Sequence, residues 1–333
     1  MDRPNRYNKG IRHMSKLTLI TAGPYSTIQD KGRTGQQALG VLEGGAMDTD
    51  ALRIANHLVG NEDSAGALEL FMGGTRLLVS EARMVSLAGS TADNAIIRSK
   101  NGVETLLPSG QSACLDAGAE LLVPPLRHTN TVIIAVEGGF DLPPLYGSVA
   151  TSANAKLGGL DGRLLADGDV LPLGPAAPLS PPPLILSDLS IFEKNQIIRC
   201  VTGPQDVWFT AEAHHLFFTS EWGITPQLNR MGFRLTGPAL SHKTSADILS
   251  DGIVCGSIQV PGDGQPIIMM RDHQTTGGYT KMATVISADL APLARMRPGL
   301  SLRFNAISQE EAEDIARQKE DKMRTLLASI RPV

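Results

Sequence analysis

The chain is cut into many short β-type runs by glycine and proline, and this limits the folds open to it more than any other feature. Residues 17–21, 76–79, 84–88, 120–123, 131–136, 197–201, 253–260 and 284–287 are short and rich in aliphatic or β-branched side chains, with turn residues at most of their ends. Gly102, the Ala117-Gly118 pair and Asp167-Gly168-Asp169 carry hairpin chemistry. Helical periodicity is confined to three stretches. Residues 48–58 open on a capping Asp48, residues 205–215 follow Gly203-Pro204, and residues 308–330 open on a capping box of Ser308 and Glu311. Many short strands with few helices predict a mainly β protein of sandwiches or barrels, not βαβ units.

A length of 333 residues exceeds one ordinary core and predicts two modules. Six prolines fall within residues 172–183, a stretch that cannot pair inside a sheet and acts as a semi-rigid spacer. The expected organisation is a disordered lead-in at 1–16, a first module at 17–171, the Pro-rich linker at 172–183, a second module at 184–307 and a terminal helix at 308–330. A net charge of −4 supplies no basic field for nucleic acid or an anionic membrane, and no apolar stretch approaches membrane-spanning length. Three scattered cysteines, Cys114, Cys200 and Cys255, suit a reducing compartment, so the cytoplasm is the expected location.

Two Gly-rich polar segments, 23–61 and 256–280, are the candidate working surface. In the first, Gln29, Asp30 and Arg33 cluster between Gly23, Gly32 and Gly35, where glycines permit close backbone approach and Arg offers a fork for carboxylate or phosphate. A structural loop in which Asp30 pairs with Arg33 explains the same residues, and spacing alone favours it; Asp48 reads as a helix cap. In the second, an apolar run at 267–270 ends in Arg271, Asp272, His273, Gln274, Thr275 and Thr276, followed by Gly277-Gly278. Polar groups at the end of a buried strand beside a Gly-Gly turn favour a site rim whose N–H groups could hold an anion. Arg230, beside Gly232 in apolar surroundings, leaves an ion pair and an anion contact both open. The chain has no GxxxxGK[ST] phosphate loop, no GxGxxG opening a helix, no HExxH or other metal-ligand spacing and no GxSxG. From the residues alone, the reading stops at a polar, Arg-containing site for a small anionic or amide-like ligand.

Ordered blocks then carry a resemblance. Thr27-Ile-Gln-Asp-Lys-Gly-Arg33, Gly45-Ala-Met-Asp48, Ala55-Asn-His-Leu-Val-Gly-Asn61, Ala67-Leu-Glu69, Val136-Glu-Gly-Gly-Phe140, Gly158-Gly-Leu-Asp-Gly-Arg163, Arg230-Met-Gly-Phe-Arg-Leu235, Ile258-Gln-Val-Pro261, Gly264-Gln-Pro266, Thr275-Thr-Gly-Gly-Tyr279 and Ser287-Ala-Asp-Leu290 together resemble the KipA family. That family is also called allophanate hydrolase subunit 2, biotin-dependent carboxyltransferase or the C-type subunit of 5-oxoprolinase. Three positions depart from its usual pattern: Val149 where it has Arg, Asn229 where it has Asp, and Arg295 where it has Gln. These exchanges could shift substrate choice.

The resemblance implies two cyclophilin-like β-barrel modules that exchange strands. It also implies partners: a KipI-like protein, the B-type subunit of 5-oxoprolinase, and a LamB/YcsF-like protein, its A-type subunit. The reading taken first is one subunit of an ATP-dependent amide hydrolase complex converting 5-oxoproline to glutamate, with ATP bound with or by a partner. One alternative is a carboxyltransferase acting on urea or a similar amide, its carboxybiotin carried by another protein. A second is a non-catalytic KipA-like regulator that restrains its partner. Candidate catalytic residues are Asp30, Arg33, Arg271 and Asp272. Candidate substrate contacts are Gln29, Asp48, Asn56, Arg230, Gln259, Thr275, Thr276, Gly277, Gly278 and Tyr279; no metal is expected.

Overall fold

Two stacked antiparallel sheets build the first half of the chain in the computed structural model, which describes residues 15–177 and 180–333. One sheet has the order Val170–Pro172, Lys16–Thr21, Gly73–Val79, Glu120–Pro125, Asn94–Arg98, Glu104–Pro108. The other runs Tyr25–Gln29, Ala67–Phe71, Thr131–Val136, Arg83–Ala88, Gln111–Leu115, Leu184–Ile185, Arg331–Pro332. Gly73–Val79 alternates buried and half-buried positions, as a strand with one covered face must. Thr131–Val136 and Arg83–Ala88 are buried at every position. Val132, Ile134 and Val136 face the other sheet, while Ile133 and Ala135 meet helix α1, Thr49–Leu58, through Ala51, Leu52, Ile54, Ala55 and Leu58. Cover on both faces is why residues 132–136 read as an unbroken apolar run.

The second half is a barrel. Ile197–Thr202, Ser301–Ala306, Trp222–Leu228, Gly232–Thr236, Ile267–Met269, Ser257–Val260 and Thr276–Val285 pair in that order, and the first pairs again with the last to close the ring. Asp247–Gly252 hangs outside the ring on Thr276–Val285. The barrel core packs Phe209, Phe217, Trp222, Phe233 and Phe304, with the Phe217 and Phe304 rings stacked at 4.5 Å. Helix α2, Ala211–Thr219, is capped by Thr210 and contributes Phe217 to this core. The mainly β expectation therefore stands.

The halves trade segments. Met47 of the first half sits in the barrel core. Residues 184–192, read above as the start of the second module, belong to the first: Leu184–Ile185 joins its sheet, and Leu186 and Phe192 join the cluster around α1. Helix α3 spans Ser287–Ala294, and the terminal helix α4, Gln309–Ala328, starts at the expected Ser308–Glu311 box. From there α4 returns to pack Met323, Leu326 and Leu327 against α1.

Several local expectations need correction. The helix expected at 205–215 is a short turn, Asp206–Trp208, and then α2, because Thr210 supplies a better cap than Gly203-Pro204. Residues 284–287 do not end as a strand but enter α3, and 253–256 form a turn with Gly256 at φ +92° ahead of Ser257–Val260. Of the lead-in at 1–16, residues 1–14 lie outside the described residues, whereas Ser15 is buried and Lys16 opens the first strand. Pro178 and Leu179 of the linker also lie outside them; its neighbours Ala177 and Ser180 are held by the buried Glu137 carboxylate. Among the described residues no helix is long and apolar enough to cross a membrane, and no group of three or more His, Cys, Asp or Glu side chains is arranged to hold a metal ion.

Candidate functional site at the module junction

Where the sandwich meets the barrel, the two Gly-rich segments touch. Gly44 N donates to Arg271 O at 3.1 Å, and Arg230 Nη2 donates to Gly45 O at 2.6 Å. Arg230 follows a turn built by Asn229, whose Oδ1 accepts from Met231 N at 2.8 Å, so the backbone aims the guanidinium inward. Its Nε and Nη2 donate to the two Asp272 oxygens, each at 2.9 Å, and its Nη1 donates to Glu69 Oε1. The other Glu69 oxygen accepts from Met47 N at 2.6 Å. Arg230, Glu69 and Asp272 are 1%, 1% and 3% exposed, so the trio is removed from water and self-contained. Burial opposes the Arg230 charge, but Asp272 and Glu69 outweigh it and hold its pKa well above the ordinary value. Burial pushes Glu69 up, opposed by Arg230 and the Met47 N–H.

The first segment departs from the loop expected of it. Tyr25–Gln29 is a strand, and the chain turns at Gly32 with φ +89°. Asp30 does not pair with Arg33. Its carboxylate accepts from Gly32 N at 2.8 Å, Ser148 Oγ at 2.6 Å and Val149 N at 2.7 Å, and so pins the 148–150 loop. Arg33 instead donates to the carbonyls of Leu145 (3.2 Å) and Ala150, leaving Nη1 buried without a partner. Burial lowers the Arg33 pKa, partly offset by Asp30 and Asp272. Gln29 donates to Thr27 Oγ1 at 3.0 Å and Thr151 O at 2.9 Å, and Asn56 donates to Ala65 O at 2.9 Å. Asp48 caps α1 through Ala51 N at 2.9 Å and is also held by Arg295. These three side chains are completely buried, and as placed they hold backbone and cap a helix.

In the second segment, Arg271 reaches Glu43 through Nη1 at 3.4 Å, and its Nε is buried without a partner. Gly277-Gly278 is not a turn. Both lie in Thr276–Val285, and Gly277 pairs opposite Asp251, so the N–H nest expected there is absent. Gly277 is needed for space: a Cβ would stand 2.4 Å from Ile253 Cδ1 and 2.9 Å from Gln259 Nε2. Thr275 O accepts from Ile253 N at 3.0 Å, Gln259 Nε2 reaches Tyr279 O at 3.5 Å, and Thr276 and Tyr279 face solvent. His273 Nδ1 contacts Gln274 O at 2.7 Å, and burial lowers its pKa.

With both Asp272 oxygens on Arg230 and three donors on Asp30, these two candidate catalytic carboxylates as placed hold other groups in position. Buried donors without a partner occur on Arg33, Arg76, Arg83 and Arg271 among the described residues, and of these Arg33 and Arg271 belong to the two Gly-rich segments at the junction. Two participants were not chosen from the sequence. Glu69 had a signal, a charge inside the wholly buried strand Ala67–Phe71; Glu43 had none. Arg295, one of the three departures, is not a substrate contact but a buried clasp between α3 and α1. Surface hollows of about 490 Å³ near Glu221 and Arg303, and about 470 Å³ between α3 and α4, lie away from the junction.

Close backbone approach at this neck gives a direct test. Gly45 has φ +87°, and a Cβ there would stand 2.8 Å from Gly32 N. Gly45→Ala is expected to cost about 1–3 kcal/mol of stability from strain, measured by urea unfolding. A variant as stable as the parent would show that the neck is loose.

The sandwich, the closed barrel and the arginine–carboxylate junction define one class of protein: the family model of the carboxyltransferase domain, subdomain A and B, matches residues 39–306, and the chain belongs to that family. It is similar to the C-type subunit of 5-oxoprolinase from Escherichia coli (strain K12), 38% identical over 296 residues, covering 89% of this chain and 93% of that one. It is 33% identical to the corresponding 5-oxoprolinase subunit of Haemophilus influenzae, covering 93% and 98%. Among solved structures, the Kluyveromyces lactis urea amidolyase matches with a TM-score of 0.84 at 26% identity over 93% of this chain. That match spans 20% of the urea amidolyase chain.

Proposed function

We propose that this chain is the C-type subunit of a cytoplasmic, ATP-dependent complex that opens the cyclic amide 5-oxoproline to glutamate. The observation that carries the reading is coverage. The likeness to a C-type 5-oxoprolinase subunit takes in 89% of this chain and 93% of the relative, whereas the urea amidolyase match takes in one-fifth of a longer polypeptide. Amide resonance withholds electrophilicity from the carbonyl carbon, and ATP supplies the activation that lets water attack it. The described junction does not suit a triphosphate: the chain has no phosphate loop, and Arg230 is saturated by Glu69, Asp272 and Gly45. This reading assigns nucleotide binding to a companion, either the KipI-like protein or the LamB/YcsF-like one. This chain's part is to bind and orient the small amide with Arg33 and Arg271.

The fold likeness to urea amidolyase, at TM-score 0.84, favours a second reading: carboxyl transfer to urea or a related amide, with carboxybiotin arriving on another protein. Both readings are separated by one assay. The chain is purified with its companion subunits, and 5-oxoproline-dependent ATP hydrolysis is measured with each component omitted in turn. Activity is expected only in the complete mixture. Undiminished activity without this chain would leave it a KipA-like regulator, and biotin-dependent carboxylation of urea in its place would establish the second reading.

A further inference from the structure

Residues 32–45 form an Ω-shaped loop closed at its neck, where Arg33 N donates to Glu43 O at 2.7 Å. Between the ends, Leu39 N and Val41 N bond to Gln36 O, and Gly40 N bonds to Gln37 O, all within the loop; Leu39 at its tip is 72% exposed. Two side chains tie the loop to the barrel: Gln37 Nε2 donates to Ile253 O, and Glu43 Oε1 accepts from Arg271 Nη1. The second tie is long, 3.4 Å, and Glu43 is 35% exposed. Yet Arg271 Nε, on the guanidinium that Glu43 holds, is buried and unpaired, and so is Arg33 Nη1. Gly44, at φ +64°, also lies beside Arg33: a Cβ there would stand 3.3 Å from Nη1, so the guanidinium would have to shift slightly. Buried donors without acceptors are rare in folded proteins and are relieved when a ligand supplies the acceptor.

We propose that this neck is a subsite for the carboxylate of a small amide substrate, and that Glu43 is its built-in competitor. The arriving carboxylate takes the place of Glu43 on Arg271, where a guanidinium fork holds a carboxylate edge-on, and lies within reach of Arg33. Glu43, once displaced, lets the loop lift about Gly32 and Gly44. Both Asp272 oxygens are engaged by Arg230, which offsets part of their repulsion toward the ligand. A neutral amide such as urea carries no carboxylate and cannot compete with Glu43. The inference rests on the 5-oxoproline reading and sharpens it, since it requires an amide that is also an acid.

The test uses the assembled complex. Glu43→Gln is expected to lower KM for 5-oxoproline by about twofold to fivefold, the scale of a half-exposed ion pair. Arg271→Lys, which keeps the charge but loses the fork, is expected to raise KM by more than about tenfold. Hydrogen exchange of amides 34–42 should quicken in Glu43→Gln, and in the unaltered protein on adding 5-oxoproline. An active complex in which Glu43→Gln leaves KM unchanged or raises it, or in which 5-oxoproline leaves exchange at 34–42 unaltered, overturns the proposal alone. A complete complex without 5-oxoproline-dependent ATP hydrolysis overturns the reading and the proposal together.

Discussion

Arg230→Met is expected to lower stability by about 3–5 kcal/mol at neutral pH, because it strands two buried carboxylates. Arg230 is the countercharge for both Glu69 and Asp272, and all three are at most 3% exposed. Methionine replaces the volume of the side chain and supplies none of its donors. The deficit should depend on pH in a definite sense. Glu69 is already pushed up by burial, and loss of the opposing Arg230 raises it further. A carboxyl whose folded pKa lies above its unfolded value stabilises fully below the unfolded value, and that stability is lost as pH rises through the folded one. The variant should therefore come closest to the parent in mild acid and fall furthest behind at neutral pH. Urea unfolding followed at several pH values gives the profile. Adding Glu69→Gln and Asp272→Asn should recover much of the loss, since neutral amides need no countercharge. A pH-independent deficit, or none, would mean that the trio is not ionised as drawn.

That trio also marks the limit of what one sequence discloses. The apolar run at Thr131–Val136 announced a strand, and Asp48 and Ser308 announced helix starts, because each signal is local to a few residues. Gly-rich, polar composition identified the two segments that meet at the junction. Arg230, however, finds Glu69 across 161 positions and Asp272 across 42, and no spacing rule joins them. The expected Asp30–Arg33 pair failed for a related reason. Local proximity suggested it, but Ser148 and Val149, far along the chain, supply Asp30 with better-placed donors. Gly277-Gly278 looked like a turn because Gly-Gly usually is one; here the missing side chains make room for Ile253 and Gln259 beside a straight strand. Family resemblance supplied the ordering of these blocks and the expectation of cyclophilin-like modules, but not which arginines keep unpaired donors at the junction.

Arg295→Ala is the second substitution with a large expected effect, also about 3–5 kcal/mol. Arg295 ends α3 and is completely buried. Its Nε and Nη2 hold the Asp48 oxygens at 2.6 and 2.8 Å, Nη2 reaches Asp50 Oδ2 at 3.2 Å, and Nη1 donates to Ile191 O. Its guanidinium lies 5.3 Å from the Phe192 ring centre, adding a cation–π contact. From α4, Lys319 completes the clasp by holding Asp50 at 2.9 Å and Ala288 O at 3.0 Å. Alanine leaves Asp48 buried with only the Ala51 N–H, so most of the cost is an uncompensated charge. Asp48→Asn in the same chain should therefore return part of it. A double-mutant cycle should give a coupling on the order of 1–3 kcal/mol, against nearly zero if the contact is incidental. The consequence reaches the junction by the chain itself: Met47, next to Asp48, donates its N–H to Glu69 and seats its side chain in the barrel core. Loosening Asp48 therefore loosens the arginine–carboxylate trio, and turnover in the assembled complex should fall at temperatures where the variant is still folded. Loss of stability without loss of turnover would show instead that the clasp joins the modules and leaves the site untouched.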